Sequence, residues 1–256
     1  MQKNELLYIV DSFDGLDRFN YKKNLPKGFQ HVKKEIFANH KYLIKYSNYN
    51  RNEGVDHYAF HNESFWLQKF QNYSFIPRFF GKVKKNHNIY LFMEYINGSS
   101  LDNLTFKDWF YVKKNINILE MKLQNILNIF KQENVIHRDL RPHNIIIKIN
   151  NNQSFTIMVV DFQYMINFGQ NMNYPNKSKS HYSKVLENIG GDWRCKELDL
   201  NSFENDSYAI KKIISDLKNE SFSAFILNKI KGYKIESIRR VHHLAIWRRC
   251  RSKDYR

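Results

Sequence analysis

Short apolar segments near the start of the chain predict β-strands. Residues 32–37 and 42–46 are rich in apolar side chains, and Asn39 and His40 lie between them. Because these two polar residues tolerate the backbone of a tight reversal, the segments are expected to form adjacent strands. Residues 88–95 are apolar almost throughout, which predicts a third strand. The N-terminal part of the chain is therefore predicted to be rich in β-structure.

Apolar residues at helical spacing become frequent further along the chain. Helices are predicted at residues 56–71, 113–133 and 204–218, and a basic, partly amphipathic helix is predicted from Lys229 onward. A hairpin is predicted inside this helical region, because two short apolar segments, residues 144–149 and 155–162, are separated by consecutive asparagines.

The order of these elements predicts an α+β fold with two lobes. Residues 1–96 are expected to form a small β-rich lobe, and residues 97–256 a larger helical lobe. Asn97 and Gly98 are typical of a loop and place the join between the lobes there. A chain of 256 residues is long enough to bury a hydrophobic core in such an arrangement.

The chain is strongly basic. Lys and Arg total 41 against 25 Asp and Glu, which gives a formal net charge of +16. Such a balance favours anionic partners, among them nucleotides, nucleic acids, an acidic membrane surface or a phosphorylated acceptor. Charge alone does not choose among these partners, and simple solubility explains it equally well.

The two cysteines, Cys195 and Cys250, lie far apart in the sequence. They form neither a disulfide framework nor a metal-ligand set, so a reducing compartment is expected. Residues 1–10 lack the layout of a signal peptide, and no stretch approaches the ~20 apolar residues of a membrane-spanning helix. The sequence therefore predicts a cytoplasmic protein, with peripheral contact at the inner membrane surface left open.

The residues most suited to catalysis lie in and beside the predicted hairpin. Asp139 and Asn144 belong to a polar loop before the first strand of the hairpin, and Asp161 follows the apolar residues of the second. Mg²⁺ prefers carboxylate, amide and phosphate oxygens. Asn144 and Asp161 could therefore converge on a metal beneath a triphosphate, with Asp139 placed to accept the proton of an acceptor hydroxyl.

The sequence His137-Arg138-Asp139, followed by Asn144, resembles the catalytic loop of the protein-kinase-like superfamily. Asp161-Phe162-Gln163 is similar to the metal-binding Asp-Phe-Gly element of the same superfamily. The resemblance implies that Asp139 is the catalytic base and that Asn144 and Asp161 bind magnesium. Arg141 stands where these kinases often carry a lysine near the transferred phosphate, which implies a catalytic role in neutralising charge.

The resemblance continues on both sides of this segment and implies ATP as the phosphoryl donor. Lys45 looks like the strand lysine that holds the α- and β-phosphates, and Glu63 like the helix glutamate that pairs with it. Glu94 and Tyr95 lie in a segment that resembles the hinge, whose backbone groups receive adenine. Asp206 resembles the helix aspartate that supports the catalytic loop. The match covers residues 30–217.

Three departures from the superfamily pattern leave alternatives open. No glycine-rich loop precedes Lys45, so a pseudokinase with a binding or scaffolding role remains an alternative to an active enzyme. Gln163 replaces a glycine whose backbone freedom would suit a switching loop. The reduced helical lobe is similar to that of compact bacterial kinases that phosphorylate lipopolysaccharide-core sugars. The hydroxyl acceptor is therefore either a protein Ser/Thr or such a saccharide.

The C-terminal tail is the most basic part of the chain. Its arginines and lysines surround a few apolar residues, a pattern that suits an amphipathic helix on an anionic membrane surface. A solvated helix packed on the second lobe explains the pattern equally well. Nucleic acid is not expected as a partner, because no nucleic-acid-binding motif accompanies the charge.

Overall fold

The structure is a computed structural model, and it describes residues 3–11, 30–33, 36–46, 55–85, 88–150, 154–170 and 189–230. An antiparallel sheet of five strands occupies the N-terminal region, in the order β1-β2-β3-β5-β4. Its strands are β1 (Gln30–Lys33), β2 (Ile36–Ala38), β3 (Tyr42–Tyr46), β4 (Phe79–Lys85) and β5 (Asn88–Glu94).

The central strands β3 and β5 pair in a register that sends Ile44 and Lys45 to opposite faces of the sheet. Ile44 lies opposite Phe92 and is fully buried, whereas Lys45 lies opposite Leu91. Because successive side chains of a strand alternate between faces, burying Ile44 directs Lys45 toward the other side. The apolar pattern of this strand thus places Lys45 on the face of the sheet opposite to Ile44.

A short N-terminal helix, α1 (Lys3–Asp11), was not predicted, and it covers the apolar face of the sheet. Its Leu6 and Val10 are buried against a cluster that includes Ile44 and Phe92. Gly81 in β4 permits this close packing, because a Cβ atom there would lie 2.8 Å from Leu6 Cδ1. The face opposite Lys45 is therefore sealed from solvent by residues of this chain.

The remaining helices are α2 (Val55–Lys69), α3 (Phe106–Lys114), α4 (Ile116–Gln132), α5 (Phe203–Asn219) and α6 (222–230). The apolar face predicted for α4 is buried, with Leu119, Leu123 and Phe130 almost inaccessible. Thr105 caps the start of α3 by accepting a hydrogen bond from the Asp108 N–H. These caps and apolar faces explain why the segments form helices at these positions.

The hairpin that carries the predicted catalytic residues consists of β8 (Ile145–Ile149) and β9 (Phe155–Val159). A two-residue strand, β6 (Ser99–Ser100), pairs with β8. Elsewhere, β7 (Val135–Ile136) pairs with β10 (Ile166–Asn167) and thereby holds together the two ends of the segment that contains the predicted catalytic residues. A strand on either side of the predicted catalytic loop, β7 before it and β8 after it, fixes where that loop begins and ends.

The α+β class and the β-rich N-terminal region are confirmed, and so are the strand at 42–46, the helices at 56–71 and 204–218, and the hairpin. Two predictions were wrong. Residues 32–37 do not form one strand, because β1 and β2 run antiparallel to each other. The helix predicted at 113–133 begins at Ile116 instead, since Asn115 interrupts the helical conformation and separates α3 from α4.

Contacts divide the chain into two compact units, residues 1–214 and residues 215–256. The lobes predicted at 1–96 and 97–256 stay a prediction. Most of the basic tail lies outside the described residues, so its helix and its membrane contact stay predictions as well. Within the part of the chain that the structure describes, no helix is long and apolar enough to cross a membrane.

Candidate active site

Three residues from separate segments meet at the lysine of β3. The Lys45 Nζ lies 2.7 Å from Glu63 Oε1 and 3.1 Å from Asp161 Oδ1. Glu63 belongs to α2, and Asp161 follows β9, more than a hundred residues away from Lys45. The structure therefore brings together three of the residues for which sequence reasoning predicted roles at the phosphates and the metal.

The lysine at the centre of this group is charged. Burial acts to lower the pKa of Lys45, but the carboxylates of Asp161 and Glu63 outweigh burial and raise the pKa above its ordinary value. A buried ammonium between two carboxylates is held firmly, because breaking one contact would leave a charge without compensation. The site thus presents a fixed positive charge together with the carboxylate of Asp161, whose side chain keeps 28 % of its surface exposed.

Three hydrogen-bond donors, two from the loop that carries Asp139 and one from a distant segment, surround its buried carboxylate. Asp139 Oδ2 accepts hydrogen bonds from Arg141 Nη2 at 2.8 Å and from Asn144 Nδ2 at 3.1 Å. Its Oδ1 accepts from the Gly190 N–H at 2.7 Å. The Asn144 Nδ2 donates to Asp139, so the Oδ1 is the atom of this amide that could bind a cation.

Burial sets the protonation behaviour of Asp139. The residue has no exposed surface, and desolvation raises the pKa of its carboxyl to about 6. Arg141 acts in the opposite direction, by its charge and by its hydrogen bond. A carboxyl whose pKa lies just below neutral pH is deprotonated at pH 7 and remains able to accept a proton, which is the property required of a general base.

Asp206 holds the backbone of the catalytic loop in a rare conformation. Arg138 has a φ of 70°, which a residue with a side chain seldom adopts. The Asp206 carboxylate accepts hydrogen bonds from the His137 N–H at 2.7 Å and the Arg138 N–H at 3.0 Å. These two hydrogen bonds compensate for the strain and connect α5 to the residues just before Asp139.

Replacement of Asp206 by alanine should destabilise the protein substantially. Two buried backbone N–H groups would lose their acceptor, and at ~1–3 kcal/mol for each unsatisfied group a loss of about 3 kcal/mol is expected. Urea denaturation monitored by circular dichroism measures the change. Glu204→Ala is the matched control, because Glu204 is an exposed acidic residue in the first turn of the same helix. Equal stabilities of the two variants would contradict this role of Asp206.

The predicted hinge residues lie at the end of β5, and both of their N–H groups are already engaged. The Glu94 N–H donates to the Arg78 carbonyl at 2.8 Å, and the Tyr95 N–H donates to the Lys41 carbonyl at 3.2 Å. Only the carbonyl oxygens of these two residues remain for a base. Among the described residues, the Ile96 N–H makes no backbone hydrogen bond, and sequence reasoning had not singled this residue out.

Sequence reasoning also missed several residues that shape the site. Gly190 supplies a backbone donor to Asp139 from a distant loop, and Asn62 in α2 donates to backbone carbonyls just after Asp161. No local pattern could have identified either one, because each acts through a contact between segments far apart in sequence. Gly98 allows another such contact, since a Cβ there would lie 2.5 Å from the Ile147 carbonyl oxygen.

Comparison with known proteins finds one family model, described as "Protein kinase domain", that matches residues 27–185, more than half of the chain. A dual specificity protein kinase of Dictyostelium discoideum, zakA, is 30% identical over 122 residues. The calcium-dependent protein kinase 4 of Plasmodium falciparum is 26% identical over 132 residues. Serine/threonine-protein kinase B of Synechocystis is 25% identical over 103 residues.

These similarities cover parts of each protein. The matched regions correspond to 43%, 50% and 40% of this chain, respectively, and to 15%, 25% and 17% of the relatives. The chain therefore spans a quarter or less of the length of these relatives. The matched family region contains the residues from Lys45 to Asp161 that meet at the site.

Proposed function

Because the chain belongs to the protein kinase family, we propose that it transfers the γ-phosphoryl group of ATP to a hydroxyl group of a protein. The observation that carries the proposal is the contact of Lys45 with both Glu63 and Asp161, at 2.7 and 3.1 Å. A pair of carboxylates that fixes a buried lysine suits the binding of phosphates, since the lysine can contact a phosphate while it remains paired.

The donor atoms at the site fit a nucleotide bound with Mg²⁺. Mg²⁺ is usually held by one or two protein carboxylates together with phosphate oxygens. Asp161 and Asn144 would supply the protein oxygens, and the described residues contain no cluster of three or more His, Cys, Asp or Glu that could hold a metal alone. When bound, Mg²⁺ would neutralise negative charge on the phosphate oxygens.

The chain's own residues would perform three tasks around the nucleotide. Lys45, kept in place by Glu63, would hold phosphate oxygens. The carbonyl of Glu94 and the N–H of Ile96 would bind the adenine edge, a refinement of the pair Glu94 and Tyr95 predicted from sequence. Asp139 would orient an acceptor hydroxyl and accept its proton, and Arg141 would keep that carboxylate ionised and offset charge near the transferred group.

A protein is the acceptor that the comparisons favour. The relatives are named as protein kinases, with serine/threonine or dual specificity in their names. None of the comparisons supports the saccharide acceptor considered from the sequence. Incubation with ATP labelled in the γ-phosphate, followed by separation of protein and glycan fractions, tests the choice. Label in protein Ser or Thr is expected, and label confined to glycan would overturn the protein acceptor.

The pseudokinase alternative rests on the absence of a glycine-rich loop before Lys45. The hairpin of β1 and β2 precedes Lys45, and residues 34 and 35 at its turn lie outside the described residues. An active kinase should bind ATP only weakly without Mg²⁺ and turn it over with Mg²⁺. Magnesium-independent binding without turnover would favour the pseudokinase.

The rate of phosphotransfer should depend on pH through Asp139. The base acts in its deprotonated form, so kcat/KM should fall as the pH drops through about 6, the pKa to which burial raises this carboxyl. Since Arg141 lowers that pKa, Arg141→Ala should raise it. The acid limb of the profile of kcat/KM against pH should therefore shift to higher pH. Rates measured from pH 5 to 9 check both statements.

Lys148→Ala is the matched control for the pH experiment, because Lys148 is an exposed cation on β8, away from Asp139. It should leave the acid limb where it lies in the unmodified protein. An acid limb that stays in place when Arg141 is removed would contradict the assignment of this limb to Asp139.

A further inference from the structure

The side chain of Asn62 connects α2 to the segment that follows Asp161. Its Nδ2 donates to the Gln163 carbonyl at 2.9 Å and to the Met165 carbonyl at 2.8 Å. A primary amide has two hydrogens on its nitrogen, so these two hydrogen bonds use both of them. Asn62 thus satisfies two backbone carbonyls in a segment about a hundred residues away in sequence.

Trp66, one helical turn after Asn62, fixes the orientation of the amide. The Trp66 Nε1 donates to the Met165 carbonyl at 2.8 Å and lies 3.1 Å from Asn62 Oδ1. The indole is nearly buried, with 2 % of its surface exposed. Because the Asn62 oxygen faces an N–H group and its nitrogen faces carbonyls, the reversed amide would lose the hydrogen bonds that Asn62 makes to Trp66, Gln163 and Met165.

The segment held by Asn62 begins at the proposed metal ligand. Asp161 has φ 69° and ψ 66°, a left-handed conformation, and a one-turn 3₁₀ helix (Phe162–Tyr164) follows it directly. For a residue other than glycine, such a conformation costs of the order of 1–3 kcal/mol and persists when its surroundings hold it. The carbonyls bound by Asn62 lie two and four residues after Asp161.

Asn62 is also the neighbour of Glu63 in α2, and Glu63 is bonded to the same segment. The Gln163 Nε2 donates to Glu63 Oε2 at 3.3 Å, while Glu63 Oε1 binds Lys45. The glutamine that replaces the usual glycine therefore has a partner in α2. The hydrogen bonds of Asn62 and Gln163 together connect α2, which carries Glu63, to the segment that follows Asp161.

We propose that Asn62 is a positioning residue, which keeps Asp161 in the metal-binding arrangement before nucleotide and Mg²⁺ arrive. The inference rests on the proposed function, since it concerns the regulation of the same site. On this proposal, the arrangement of Lys45, Glu63 and Asp161 exists before the nucleotide binds. When only a fraction of molecules is competent to bind, the apparent dissociation constant rises in inverse proportion to that fraction.

Loss of the positioning residue should change KM for Mg²⁺·ATP much more than kcat. In Asn62→Ala, two hydrogen bonds to the Asp161 segment are lost, and a competent fraction of about one tenth is expected for this loss. The KM for Mg²⁺·ATP should then rise about tenfold. At saturation the nucleotide restores the competent state, so kcat should stay within about threefold of its original value. A merely structural residue would lower stability without moving KM.

Binding of Mg²⁺ with a non-hydrolysable β,γ-imido analogue of ATP, measured by calorimetry, tests the inference without relying on turnover. Ser64→Ala is the matched control, because Ser64 is a buried polar residue of α2 whose hydroxyl donates within the helix to the His61 carbonyl. The control should bind the analogue as the unmodified protein does. Asn62→Ala should bind it about tenfold more weakly.

Asn62→Asp provides a second variant that retains the shape and the acceptor for Trp66 but removes the donor. It should weaken analogue binding at least as much as Asn62→Ala, since a carboxylate would face two carbonyls. The ¹⁵N indole resonance of Trp66 should move in both variants and return toward its original position when the Mg²⁺ analogue is added.

Two results distinguish failure of this inference from failure of the proposed function. Unchanged analogue binding in both Asn62 variants would overturn the positioning role, whatever the unmodified protein does to an acceptor. Weakened binding in both variants would support that role even if no protein were phosphorylated, an outcome that would count against the proposed acceptor alone.

Discussion

Asp161→Asn is expected to reduce phosphotransfer by about a thousandfold or more. The substitution preserves the size of the side chain but removes the charge that lies 3.1 Å from Lys45 and that would bind Mg²⁺. Charge stabilisation by a metal is worth several kcal/mol, and ~4 kcal/mol corresponds to about a thousandfold in rate. Transfer of labelled phosphate at saturating ATP and a range of Mg²⁺ concentrations measures the loss.

The fold of the Asp161→Asn variant should survive, because Lys45 keeps its 2.7 Å contact with Glu63. Asp102→Asn makes the same chemical change at an exposed position and should leave the rate unchanged. Turnover that persists in Asp161→Asn, with the same dependence on Mg²⁺, would contradict the assignment of Asp161 as a metal ligand.

Asp139→Asn should have the second largest effect, and it should act on kcat alone. Removal of a general base costs ~10²- to 10⁴-fold in rate. The two carboxylate oxygens accept hydrogen bonds from Arg141, Asn144 and the Gly190 N–H, and the amide oxygen of asparagine can replace one of these two oxygens. Nucleotide binding involves Lys45, Glu63 and Asp161 instead, so the dissociation constant of the ATP analogue should stay within about threefold.

Steady-state kinetics and calorimetry on the same protein preparation separate the two effects expected for Asp139→Asn. A loss of ATP-analogue binding as large as the loss of rate would show that Asp139 acts through the structure of the site. The asparagine variant should also lose the acid limb near pH 6, because the titrating carboxyl is gone.

The sequence was sufficient to predict the parts of the site that lie on regular elements. Lys45 follows the alternation of a buried strand, and Glu63 lies in a helix with clear apolar spacing. Asn144 and Asp161 lie at the ends of a hairpin whose apolar strands are separated by asparagines. In each case the local pattern predicted the element, and the resemblance to the protein-kinase-like superfamily predicted which of its residues belong to the site.

Other features could not be predicted because tertiary contacts determine them. Strand β4 contains Gly81 and three lysines, a composition that resembles a polar loop, and it is a strand because it pairs with β5 at the edge of the sheet. The apolar spacing of α3 and α4 likewise gives no indication of the break between them at Asn115. Asn62 has no motif around it, and its role follows from carbonyls in a distant segment.

The missing glycine-rich loop and the unusual Gln163 have different consequences in the structure. Gln163 has a specific partner in Glu63, so the departure at this position adds a contact between α2 and the Asp161 segment. The region before Lys45 keeps its sheet pairing through β2, which lies next to β3. This pairing holds β3, the strand of Lys45, in place whichever residues cover the phosphates.

The most direct test of the central claim is Mg²⁺-dependent transfer of the labelled γ-phosphoryl group from ATP to Ser or Thr of a protein acceptor. The unmodified chain should label protein, Asp139→Asn and Asp161→Asn should fail to label it above background, and Asp102→Asn should match the unmodified chain. Equal labelling by all four proteins, or none by the unmodified chain with Mg²⁺ and ATP present, would contradict the account.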